Sequence, residues 1–209
     1  MDFLEVVSTQ RAIRRFTTEP VTDDVLRQVL EIAVRAPSAG NRQPWRFIVL
    51  RDPEIKRKLG LLYGQCTDEL IAKTPFYTTT VADPVNYPDM ARMVKSARYL
   101  IEHFAEVPAF IIACMMNYDP PLTLVQGASI YPAIQNICLA ARNLGLGTTI
   151  TTIHRFRSND IRSLLGIPPE AEIAAMIPMG YPAGGFGSGP RKPVSEVVYG
   201  ETWGNNVWM

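Results

Sequence analysis

Four short runs rich in apolar or β-branched residues, at 45–50, 108–115, 148–153 and 171–179, are separated by longer stretches with helical spacing. That alternation limits the fold more than any other feature. A run such as Trp45-Arg46-Phe47-Ile48-Val49-Leu50 has strand length, and Pro108-Ala109-Phe110-Ile111-Ile112-Ala113-Cys114-Met115 reads as a second buried strand. Thr148–Ile153 is strand-like because it is β-branched throughout, and Ala171–Met179 is a further apolar strand. Between them, Thr22-Asp23-Asp24 caps a helix over 22–35 with the stripe Val25, Leu26, Val29, Leu30 and Ala33, and Asp52-Pro53-Glu54 opens one through about Tyr63. Phe3, Leu4, Val6 and Val7 suggest a short first helix, and further helices are expected near 90–104, over 122–144 and from Ser158 to Leu165. Pro132 should kink the fifth of these or mark a restart. Helices covering a central sheet in three layers, of α+β or α/β class, satisfy this order.

The chain's 209 residues fit one domain spanning 1–209. Two segments stand apart from the pattern. Residues 64–95 begin with a proline-interrupted stretch lacking a sustained period, a candidate lid, and a Gly- and Pro-rich C-terminal extension starts at about Pro182. The formal charge of +1, from 21 basic against 20 acidic residues, argues against a nucleic-acid or anionic-membrane binder. Cys66, Cys114 and Cys138 are far apart and suit buried free thiols, so a reducing cytoplasm is the expected compartment. No run approaches the ~20 apolar residues of a bilayer span, and the acidic start Met1-Asp2-Phe3-Leu4-Glu5 does not look like a secretory signal.

Chemistry is sparse. His103 and His154 have no metal-ligand spacing, no Gly-x-Ser-x-Gly elbow occurs, and no metal site is expected. Arg11, Arg14 and Arg15 at a helix end read equally as a solvated terminus or as an anion site offering guanidinium donors. The loop Pro37-Ser38-Ala39-Gly40-Asn41-Arg42-Gln43-Pro44 is either a tight connection or a place where small residues let backbone amides approach a planar ligand. Gly184–Gly189 is neither a P-loop nor a dinucleotide fingerprint and reads as a flexible turn before Arg191-Lys192-Pro193.

Taken in order, Arg11–Phe16, Ala36–Trp45, Ala140–Thr152 and Met179-Gly180-Tyr181-Pro182 with Arg191-Lys192-Pro193 resemble the nitroreductase superfamily over most of the chain. The resemblance implies an α+β three-layer fold with a mixed or antiparallel sheet, an intertwined homodimer, and FMN bound at the subunit interface. It implies that Arg11 and Arg191 contact the phosphate, with Ala12 beside them, and that Arg14 lies by flavin N1 and O2. Pro37, Ser38, Ala39 and Asn41 match the loop against the ring, Gly40 the substrate face, and Ile150, Thr151 and Thr152 the ring edge near N5. Gln10 and Ala12 depart from residues common there. Residues 151–152 and 179–182 are similar to iodotyrosine deiodinases, yet 64–95 contains no clean Glu, Tyr and Lys lid set.

The activity so implied is reduction of a nitroaromatic, quinone or similar small-molecule acceptor by NADH or NADPH through FMN, in ping-pong order. No protein side chain is assigned as a catalytic acid. Thr152 and Arg14 would tune the flavin. Rival expectations are a flavin-binding redox store or sensor without rapid turnover, a reductive dehalogenase, and an enzyme that degrades the flavin itself.

Overall fold

The computed structural model describes residues 1–74, 83, 85–116 and 124–205. Six helices and four strands follow one another as α1 (Phe3–Thr9), α2 (Asp23–Ala33), β1 (Trp45–Leu50), α3 (Pro53–Lys73), α4 (Pro88–Glu102), β2 (Ala109–Met116), α5 (Leu124–Asn143), β3 (Gly147–Thr148), α6 (Ser158–Leu165) and β4 (Ala171–Gly180) among the described residues. The strands form one antiparallel sheet in the order β1-β2-β4-β3. The α+β expectation holds.

Period-two alternation in β2 divides the core into two layers of helices. Ala109, Ile111, Ala113 and Met115 face α2 and α5, meeting Leu26, Val29, Ile130, Ile134 and Ile137. Phe110, Ile112 and Cys114 face α3, α4 and α6, meeting Leu59, Tyr63, Cys66, Leu100 and Ile161. A register shift places Ala113 opposite Ala175 but Cys114 opposite Ile173, so Ala174 is the extra residue of a bulge. Ala174 and Ala175 consequently join the same core layer.

Local signals set the helix starts. The Thr22 hydroxyl accepts from the Val25 amide at 3.4 Å, and Asp52 Oδ1 accepts from the Ile55 amide at 2.8 Å. Gly166, at φ 64°, closes α6 in the left-handed conformation.

Three expectations change. First, α3 does not stop near Tyr63 but continues to Lys73. Leu59, Tyr63 and Cys66 form its buried stripe, and Glu69 pairs with Lys73 one turn on at 2.9 Å, so packing carries the helix through a stretch whose sequence looks irregular. Of the candidate lid, 75–82 and 84 lie outside the described residues. Second, α5 runs unbroken through Pro132, surrounded by buried Ile130, Ala133 and Ile134. The cost of a missing amide is met by packing on both sides of the ring. Third, Thr148–Ile153 is not one strand. Only Gly147 and Thr148 pair with β4; the chain then leaves the sheet, returns at Thr151 through paired bonds with Met176 of 2.9 and 3.0 Å, and turns at Ile153–Arg157.

Candidate active site

The segment after α1 lies along the exposed side of β3. The Ile13 amide donates to the Thr148 carbonyl at 2.8 Å, Ala12 bridges Thr148 in parallel, and Phe16 bridges Pro182. This approach depends on glycine: a Cβ at Gly147 would stand 2.7 Å from Ile13, and one at Gly180 2.8 Å from Pro108. The main chain therefore fixes where Arg11 to Arg15 project. Ala12 is exposed, and Arg11 is exposed beside Gly187, whose added Cβ would lie 3.8 Å from Arg11 Nη1. The Gly-rich tract is thus not a free turn. Phe186 lies 3.9 Å under the guanidinium of buried Arg142, which itself donates to the Thr9 hydroxyl at 2.9 Å.

Arg14 turns inward, half-buried, into a cavity of about 270 Å³. Its walls are Tyr63, Thr67, Leu70 and Ile71 of α3, Val94, Ala97, Arg98 and Ile101 of α4, and Thr149, Ile150, Thr151 and Thr152 after β3. Burial lowers the pKa of Arg14, against the Tyr63 phenol, which raises it, and with Arg11, which lowers it. Among the described residues no carboxylate lines this cavity, which presents a partly desolvated positive charge. Burial also pushes the Tyr63 phenol up, with Thr151 and Arg14 acting the other way. Tyr63 is held by stacking on Phe104, whose ring stacks in turn on Phe110 at centroid distances of 4.6 and 4.5 Å.

The Thr151 hydroxyl is buried beside the Tyr63 phenol, which it acts on, but makes no hydrogen bond of ordinary geometry to any described residue. A buried hydroxyl left in this way costs free energy unless another molecule meets it. Ile150 beside it is 41% exposed, which opens the backbone of 149–152 toward the cavity. Together these groups offer two cations, Arg14 and Arg98, with hydroxyls, peptide groups and apolar side walls, a set suited to a flat, polar-edged, electron-rich molecule.

The second sequence-identified group lies elsewhere. In the loop before β1, a one-turn helix spans Ala39–Asn41, and Gly40, Asn41 and Gln43 have φ of 58°, 51° and 48°. Left-handed conformations at two non-glycine residues are unusual. The Ser38 hydroxyl accepts from the Gln43 amide at 3.0 Å, and the Ala39 amide donates to Ser129 Oγ of α5 at 3.1 Å. Pro37, Ala39, Gly40 and Asn41 are exposed, Ser38 half-buried. The loop enters β1 at Trp45, opposite Met115, on the β1 edge; Thr148 pairs with Met179, opposite Ala109, on the other edge. Six residues along β2 and three strand spacings put these corners on the order of 25 Å apart. Arg14, Ile150, Thr151 and Thr152 share one cavity, whereas Pro37–Asn41 lie at the opposite corner and Arg191 is exposed, donating to its own neighbour, the Pro190 carbonyl, at 2.9 Å.

The α3 and α4 walls were missed by reading motifs. Tyr63, Thr67 and Leu70 have helical spacing, but the sequence signals carry the helix only to about Tyr63, short of the wall it forms through Lys73. Arg15 is exposed and stacks 4.0 Å above the Tyr99 ring. The three cysteines are buried and free, and burial pushes the thiols of Cys66 and Cys114 up to about 11, so neither is poised as a nucleophile.

This frame, an antiparallel sheet between helical layers with a cationic cavity at one corner, has counterparts of known kind. The family model described as Nitroreductase family matches residues 7–181, and the chain belongs to that family, whose members are enzymes of oxidoreductase type. A protein of Thermus thermophilus named NADH dehydrogenase is 32% identical over 192 residues, which is 90% of this chain and 91% of that one. Iodotyrosine deiodinase 1 of Rattus norvegicus is 28% identical over 186 residues, 88% of this chain and 63% of that protein. Among solved structures, a BluB-like flavoprotein from Clostridium difficile superposes with a TM-score of 0.72 at 22% identity, covering 95% of this chain and 98% of that one. Iodotyrosine deiodinase bound to FMN and 3-iodo-L-tyrosine superposes with a TM-score of 0.74 at 23% identity, covering 97% and 100%. No helix of the described residues is long and apolar enough to cross a membrane.

Proposed function

We propose that this chain is an FMN-dependent oxidoreductase, and that the cavity around Arg14 holds the flavin. The observation that carries this is the coincidence, in one cavity, of a half-buried guanidinium with no carboxylate among the described lining residues and a buried Thr151 hydroxyl beside the Tyr63 phenol. The named relatives, a NADH dehydrogenase and an FMN-bound structure, support the same group. When bound, FMN would supply the redox chemistry, taking a hydride from NADH or NADPH and passing reducing equivalents to a nitroaromatic, quinone or similar acceptor in ping-pong order.

What the chain contributes is placement and charge. Arg14 would hold negative charge at the ring's pyrimidine edge in a site partly closed to water, where a fixed cation counts for more than in solvent. The Thr151 hydroxyl and the backbone of 149–152 would meet the polar ring edge, and Thr152 would tune it. Arg11 and Ala12, projecting from the same main-chain strap, would meet the phosphate, with Arg191 supplied by the C-terminal extension. Pro37, Ser38, Ala39, Gly40 and Asn41 cannot reach that cavity within one chain. A homodimer in which each Arg14 corner receives its partner's loop brings the two sets together and explains why a loop with three left-handed residues points outward.

Stopped-flow mixing of the yellow protein with NADPH tests the reading. Rapid bleaching of the flavin band, then reoxidation by a quinone, is expected; slow or absent bleaching would favour a flavin store or sensor. Reductive dehalogenation of an amino acid fits less well, because the described cavity wall has no carboxylate to meet a substrate ammonium.

A further inference from the structure

Helix α4 separates two cavities. The inner one holds Arg14; on the other flank of the helix lies an open groove of about 380 Å³ lined by Arg15, Lys95, Arg98, Tyr99 and Glu102 among others. Val94 and Arg98 line both, so Arg98 stands at the junction. Three cations and one carboxylate give the groove a net positive charge in a chain whose total is only +1. Arg15 is kept in place by its stack on Tyr99 at 4.0 Å, while Lys95 and Arg98 are exposed. Neighbouring Arg92 is engaged differently, paired with Asp89 and outside both cavities.

We infer that this groove binds the phosphate-bearing arm of the nicotinamide dinucleotide donor, its pyrophosphate above all, while the dihydronicotinamide ring passes Arg98 into the inner cavity. The inference rests on the flavin oxidoreductase reading and names where the donor is recognised. A carboxylate-bearing acceptor would occupy one cation; three cations spread along an open groove suit a multiply charged, extended group. Because the groove is open, its contribution is screened by salt and appears mostly in capture of the donor.

The test compares two hydride donors, NADH and 1-benzyl-1,4-dihydronicotinamide, which carries no phosphate. The apparent second-order constant for flavin bleaching is measured for each at low ionic strength, in the wild type and in Lys95→Glu/Arg98→Glu. The ratio of NADH to the benzyl compound is expected to fall about tenfold or more, and calorimetric binding of ADP-ribose to weaken by a similar factor. Arg92→Glu should leave the ratio where it is. A ratio that survives in the double variant, or falls equally in Arg92→Glu, overturns the groove while leaving the flavin reading intact. Failure of both donors to bleach the wild type defeats both readings together. Should the double variant not fold, Lys95→Gln provides the same comparison with a smaller expected drop.

Discussion

The two corners that carry the sequence motifs are built in opposite ways. At the Arg14 corner the main chain does the positioning: Ile13 bonds to Thr148, Thr151 exchanges bonds with Met176, and Gly147 and Gly180 allow close approach. At the Pro37–Asn41 corner the positioning comes from side chains, Ser38 and Ser129, and from backbone held in left-handed conformations. The first corner forms a cavity of about 270 Å³ around a charged group, whereas the second lines a smaller pocket of about 200 Å³ with Ala39 and Ser129 and otherwise presents exposed residues. On the proposed reading, in which a partner's loop completes the site, that difference predicts that damage at the first corner exceeds damage at the second.

The largest effect is expected from Arg14→Ala. Losing a partly desolvated, charge-assisted contact should weaken FMN binding about tenfold to a hundredfold, read by fluorescence titration of the apoprotein. Unchanged affinity would remove Arg14 from the site. Gly147→Ala comes next, because its Cβ would fall 2.7 Å from Ile13 and push the strap off β3. A stability loss of about 1–3 kcal/mol in denaturant unfolding, with weaker flavin retention, is expected. At the other corner Gly40→Val forces a β-branched residue to φ 58°, a local strain of about 1–3 kcal/mol, and should lower FMN affinity by about tenfold.

Mixing turns the comparison into a test of the dimer. If each site combines one chain's Arg14 with the other's loop, refolding Arg14→Ala with Gly40→Val in equal amounts restores about a quarter of wild-type sites, since half of the dimers carry one intact site. Recovery of none would place both corners' damage within the same chain.

These corners were also unequally legible. Both motifs could be read from residues, but not that they stand apart, since separation is set by strand order. The apolar runs of β2 and β4 are legible because both faces are buried, and β1, an edge strand with Arg46 and Val49 exposed, is legible from its length and apolar content. Thr148–Ile153 misled because β-branching reports a preference for extended backbone and not whether a partner strand is available; only Gly147, Thr148 and Thr151 find one. Tyr63 and Arg98 are not legible as site residues because helical spacing does not say which face meets a cavity. Their roles are tertiary.

The smallest effect tests the layer beneath the first corner. Burial lowers the pKa of His154, opposed by its bond to the Ile173 carbonyl at 2.8 Å; that bond requires the proton on Nε2 in the neutral ring. The folded pKa lies below the ordinary 6.5, so the unfolded chain takes up protons first as pH falls. Stability is therefore full above about 6.5 and declines below it toward the folded pKa. His154→Gln should flatten that acid limb of the unfolding midpoint; an identical limb would assign it to other groups.

The central claim, that the Arg14 cavity is a flavin site, is tested most directly by the chromophore itself. The purified protein should be yellow, release FMN on denaturation at about one per chain, and lose that colour in Arg14→Ala. A colourless wild type that takes up no FMN on reconstitution would contradict the account.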